Sequence, residues 1–136
     1  MLLCDYAEEV GGKLYIMGGG WSRLFTPNVP TNVSLAVKIS IPWDEADRPH
    51  DIVMRLRKDD EAETLKTDDG QAIQITGRVE AAGAAHPPES RLGSHLDVPL
   101  TPAFQGLSLE PGDYVWELLV DGNVLESAPF AVVSVG

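Results

Sequence analysis

Apolar and polar side chains alternate along much of this chain with a period of two, the pattern of strands that bury one face. Val33, Leu35, Val37, Ile39 and Ile41 alternate with Ser34, Ala36, Lys38 and Ser40, which predicts one long half-buried strand ending at Pro42 and Trp43. Ile52, Met54 and Leu56 alternate with Val53, Arg55 and Arg57 in the next strand. The polar, turn-forming link from Asp44 to Pro49 predicts that these two strands pair as neighbours. Ile73, Ile75 and Val79 repeat the pattern around Gly77, where a strand glycine suggests a bulge or a close backbone approach. Leu96, Val98 and Leu100 form a short strand that Pro99 assigns to a sheet edge.

Both ends of the chain read as hairpins. Leu2 to Glu9, a Gly11-Gly12 turn and Lys13 to Met17 form the first, with Leu14 and Ile16 expected to face inward. Gly18, Gly19 and Gly20 break that ladder before a further strand from Trp21 to Phe25. Tyr114, Trp116, Leu118 and Val120 alternate up to Asp121-Gly122, after which Phe130, Val132 and Val133 return as the last strand. No window carries a sustained apolar repeat at helical spacing. The expectation is one all-β domain over residues 1–136, an antiparallel β-sandwich of about eight or nine strands with little or no helix. The turn Leu109 to Asp113 leading into Tyr114 resembles the tyrosine corner of immunoglobulin-like sandwiches and favours that architecture over a barrel.

Charge narrows the partners. Ten Lys+Arg against 21 Asp+Glu give a net charge of −11, a field that repels phosphate backbones and anionic lipid headgroups, so neither nucleic acid nor a membrane surface is expected to bind. Cys4 is the only cysteine; it can form no internal disulfide, and its alternation with Leu2 and Tyr6 reads as an inert core thiol. The N-terminus lacks the basic and apolar segments of a signal peptide, from which a cytoplasmic location is expected.

Motifs for catalysis or cofactors are sparse. His50, His86 and His95 have no spacing that puts two imidazoles on one face, and no nucleophile elbow is present. The carboxylates Asp59, Asp60, Glu61, Glu63, Asp68 and Asp69 share one connection, but Lys58 and Lys66 interrupt them and the order fits no EF-hand loop, so a solvated loop is the better reading than a calcium site. The glycine triplet lacks the lysine and helix of a phosphate loop. No cofactor, metal site or catalytic residue is therefore assigned. Trp116 falls among the inward positions, whereas Trp21 and Trp43 lie at strand ends; with Arg23 and Arg78 they are the candidate contacts for a ligand or partner.

Three segments carry a resemblance: Cys4-Asp5-Tyr6-Ala7 through Gly12 to Trp21, the step Ile41-Pro42-Trp43, and Leu109 to Tyr114 with Trp116. Together they resemble a domain-of-unknown-function family of small bacterial all-β proteins. That resemblance implies a bacterial cytosolic origin and brings no functional residues with it. The expected function is a non-catalytic protein-interaction or scaffold module. It would work through sheet edges, the first hairpin and the long connections at 59–70 and 80–93, and would pair with a second copy through an N-terminal edge strand. The alternative is a small-ligand or glycan receptor using Trp21, Arg23, Trp43 and Arg78.

Overall fold

The structure is a computed structural model that describes residues 1–26, 30–45, 47–79 and 95–134. Ten strands are present among them: β1 (Leu2–Val10), β2 (Lys13–Gly19), β3 (Arg23–Thr26), β4 (Thr31–Pro42), β5 (His50–Lys58), β6 (Gln74–Val79), β7 (His95–Leu100), β8 (Ala103–Leu107), β9 (Gly112–Val120) and β10 (Asn123–Ser134). The described residues contain no α-helix; a 3-10 turn covers Trp43–Glu45. The strands form two five-stranded sheets, one ordered β2-β1-β4-β7 with β8 also on β4, the other β3-β10-β9-β5-β6. All pairs are antiparallel except β3, which runs parallel to β10, so the expected purely antiparallel arrangement is corrected to a mixed one.

The two sheets meet across one core. Val33, Leu35, Val37, Ile39 and Ile41 of β4 pack with Ile52, Met54 and Leu56 of β5, Trp116 and Leu118 of β9, and Phe130 and Val132 of β10. These are the residues whose period-two alternation marks one face, so the buried face follows from the pattern itself. Trp116 is fully buried and its ring lies 4.4 Å from that of Phe104, joining β9 of one sheet to β8 of the other. Aromatic pairs of this kind add about 0.5–1.5 kcal/mol beyond area burial.

Strands β4 and β5 do not pair, contrary to expectation. They belong to different sheets, because the 3-10 turn after Pro42 carries the chain across the layers instead of folding it back. β7 and β8 share one register along β4, from Pro42↔His95 to Ser34↔Ala103 and Val33↔Phe104, with a break at Thr101 and Pro102. β8 then takes one extra residue before Leu107↔Thr31. Gly106 supplies the left-handed conformation there (φ 68°) and donates its N–H to Asn32 Oδ1 at 3.0 Å. That insertion turns both Phe104 and Leu107 inward although they are three residues apart.

Tyr114 completes its end of the core. Its hydroxyl donates to the Glu110 carbonyl at 2.7 Å, four residues upstream, and its ring stacks on Phe130 at 5.6 Å. Gly77 pairs with Ile52 in an unbroken register, so no bulge forms there. It occupies an inward position between Ile75 and Val79, and a Cβ placed on it would meet nothing within 4 Å. The result is a lateral cleft of about 260 Å³ over Ile52 and Met54, walled by Leu100, Thr101 and Pro102.

Two expectations follow. Tyr114→Phe loses one hydrogen bond and leaves the Glu110 carbonyl without that donor, lowering stability by about 1 kcal/mol in urea unfolding. Gly77→Val fills open space in a strand with a β-branched residue and stiffens the unfolded chain, raising stability by roughly 0.5–1 kcal/mol in the same assay. A loss of stability in the second variant would mean that the cleft cannot accept a side chain.

Candidate functional site

The residues singled out by sequence do not form one site. Trp21 is half-buried and packs edge-on against Phe130, with centroids 6.2 Å apart and planes at 85°, at the end of the core where Tyr114 lies. Trp43, also half-buried, sits in the 3-10 turn at the opposite end, beside the start of β5. Arg23 is exposed on β3 and Arg78 is exposed on β6, the two opposite edges of one sheet with β10, β9 and β5 between them. At about 4.8 Å per strand step, roughly 19 Å separates those edges. Arg78 is moreover engaged with Asp51, Nε to Oδ1 at 3.2 Å.

The connection between β5 and β6 is more ordered than a plain loop, with bridges Arg57↔Thr64 and Lys66↔Ala72. Its carboxylates at 59, 60, 61, 63, 68 and 69 are all exposed. With the β8–β9 connection it borders an open groove of about 500 Å³ lined by both signs of charge, among them Lys58, Lys66, Asp68 and Glu110. The expected long connection at 80–93, with His86, lies outside the described residues.

Two ionic clusters, each built on one buried residue, reinforce the second sheet. Glu117 is buried on its outer face, and one carboxylate oxygen accepts from Arg55 Nε at 3.0 Å and forms an ion pair with Arg57 Nε at 3.1 Å. At the far end His50 is buried between two acceptors. Its Nδ1 lies 2.8 Å from Asp121 Oδ2 and its Nε2 lies 2.8 Å from the Glu45 carbonyl oxygen. A carboxylate and a carbonyl can only accept, so both ring nitrogens donate and the imidazolium is the form that satisfies the site. Asp121 holds a left-handed turn position (φ 51°), and its other oxygen accepts from the Asp51 N–H at 3.0 Å. The cluster braces the crossing between the sheets against the β9–β10 turn. Both ring nitrogens are spent on that task.

Among the described residues, the largest apolar exposure lies on the first hairpin. Gly11 and Gly12, both left-handed, turn the chain so that Val10 faces Lys13, and the register then sets Glu8 opposite Tyr15 and Tyr6 opposite Met17. Leu2, Tyr6, Val10, Tyr15 and Met17 therefore share one face, and they are 46, 52, 50, 54 and 68% exposed. This face points away from the core, because Leu3, not Leu2, pairs in phase with Leu35. Beyond Leu3 the inward positions of β1 are Asp5, Ala7 and Glu9, which offer no large side chain to bury. Consistently, β1 pairs with β4 only from Leu2 to Cys4 and thereafter has β2 alone as a neighbour.

Residues 1–133 match the sequence model of DUF6941, a family of unknown function. The chain belongs to DUF6941. No curated protein matches it significantly.

Several sequence readings of the first hairpin are corrected by its phase. Leu14 is only half-buried and Ile16 is exposed, so neither anchors a core face. The N-terminal strand is internal to its sheet from Leu2 to Cys4, and the sheet edge is β2. Cys4 is fully buried but lies outside the cluster between the sheets; its thiol reaches the Ser34 carbonyl at 3.5 Å, and burial first, then Asp5, raises its pKa. The exposed face itself was within reach of sequence: counting back from the Gly11-Gly12 turn puts Tyr6 against Met17.

The His50 brace gives this chain a pH signature. Its hydrogen bond to Asp121, then that to Glu45, raises the His50 pKa above the ordinary imidazole value, with burial opposing. The bond from His50, then that from Asp51, lowers the Asp121 pKa. The His50 contribution to stability is complete below about pH 6.5, its unfolded value, and is lost as pH rises through the higher folded value. The Asp121 contribution is complete above about pH 4 and is lost as pH falls through the lower folded value. The stability gap between the native chain and His50→Gln should thus be widest between about pH 4 and 6.5 and narrow above it, read by urea unfolding across pH. A gap that does not change with pH would show that the ring is held neutral.

Proposed function

We propose that this chain is a non-catalytic protein-interaction module, an immunoglobulin-like sandwich whose contact surface is the outer face of the β1–β2 hairpin. The observation that carries the reading is the gathering of Leu2, Tyr6, Val10, Tyr15 and Met17 on one exposed face. Tyr and Met are enriched at protein interfaces, and single patches of several hundred Å² mark contact sites on otherwise polar molecules. The immunoglobulin-like assignment is supported by the Tyr114–Glu110 corner and by the short β3 lying parallel to the last strand. A buried, free Cys4 accords with a reducing, cytosolic setting, and the bacterial origin rests on the resemblance alone. The small-ligand alternative needs Trp21, Arg23, Trp43 and Arg78 to converge, and their positions at opposite ends and edges give it no support.

Photo-crosslinking in the cells of origin tests this reading. A benzophenone amino acid in place of Tyr15 should yield covalent protein adducts, while the same group in place of Arg78, remote from the face, should not. Absence of any protein adduct at Tyr15, or equal yields at both positions, would remove the hairpin as a contact surface.

A further inference from the structure

We infer that the occupant of this face is a second copy of the same chain, packed hairpin on hairpin about a twofold axis; the inference rests on the interaction-module reading above. Area is the first argument. At 46 to 68% exposure, the five side chains present on the order of 500 Å² of surface per copy, so a face-to-face pair removes about 1,000 Å² from water, the lower limit for a specific interface. That size fits a reversible dimer.

Charge is the second argument. Two chains of net charge −11 repel over most approaches. On the outer face of β1 and β2, however, the only charged residues are Glu8 and Lys13, of opposite sign and diagonal to each other across the ladder. A twofold axis brings this charge-balanced, largely apolar face against its own copy, each residue contacting the same set in reverse. The other carboxylates of the ribbon, Asp5 and Glu9, lie on its opposite face.

The hairpin's own weakness supplies the third argument. From Asp5 to Val10 and Lys13 to Met17 it is a two-stranded ribbon, a form marginally stable in water. Its tip is tied by the Gly12 N–H donating to Glu9 Oε1 at 2.7 Å, yet its outer face is uncovered. A second ribbon on that face turns the pair into two layers, the arrangement by which sheets gain stability.

Sedimentation equilibrium of the full chain over a wide concentration range is the test, with circular dichroism verifying the fold of each variant. The native chain should shift reversibly from one to two copies. Met17→Glu and Tyr15→Glu, both at exposed positions, should weaken the dimer about tenfold or more by placing like charges against each other. Leu125→Glu, equally exposed but on β10, should leave it unchanged. A native chain that stays monomeric throughout, or a dimer that Met17→Glu leaves intact, overturns the inference. The mass of the Tyr15 crosslink separates the two levels of the argument. An adduct of twice the chain mass supports the second copy. A different protein overturns the second copy and leaves the interaction module standing, and no adduct removes both.

Discussion

Burial of Trp116 between the sheets is the constraint on which the remaining architecture depends. The indole fills the middle of the core against Phe104, and the inward residues of β4, β5, β9 and β10 close around it. With a single cysteine, nothing covalent replaces this packing. The second sheet is then held in place by polar work: the Tyr114 hydroxyl on Glu110 at one end, the His50 brace at the other, and Glu117 gathering two arginines on the outer surface. Ion pairs with one buried member add little net stability over apolar packing, but removing the more exposed partner leaves His50 or Glu117 buried without it, so they fix geometry more than they add energy.

The first hairpin shows what happens where that core gives no hold. β1 follows β4 for as long as it has Leu3 to bury, and its next inward positions, Asp5, Ala7 and Glu9, give it no reason to continue. Its large side chains fall on the other phase and look outward. A one-residue change of phase in a strand exchanges its two faces, and here the exchange separates a core strand from a surface that invites company.

Strands with strict alternation were legible from sequence: β4, β5 and β9 lie where the period-two pattern places them, Pro99 lies on an outer strand, and Tyr114 makes its corner. What escaped depends on non-local geometry. β8 breaks the alternation through its Gly106 bulge, so Phe104 and Leu107 look like loop residues until the register is known. The polar link after Pro42 has the composition of a hairpin turn, and only the 3-10 turn and the His50 brace reveal that it changes sheets. Trp21, Arg23, Trp43 and Arg78 have the right chemistry for recognition, but alternation says nothing about whether strands far apart in sequence become neighbours. For the hairpin, the turn supplied the pairing, and the choice of buried face required β4.

The pairing of β3 with β10 joins residues 23–26 to 131–134, and the α-amino group of Met1 reaches Glu126 at 2.8 Å. Both links connect the first part of the chain to the last. During synthesis the second sheet cannot be completed until its final strand has left the ribosome, because loop closure over that separation must precede the contacts that reward it. Until then the first hairpin, whose strands pair locally, is a ribbon of marginal stability by itself, and it is anchored only through the short stretch in which β4 adds to β1.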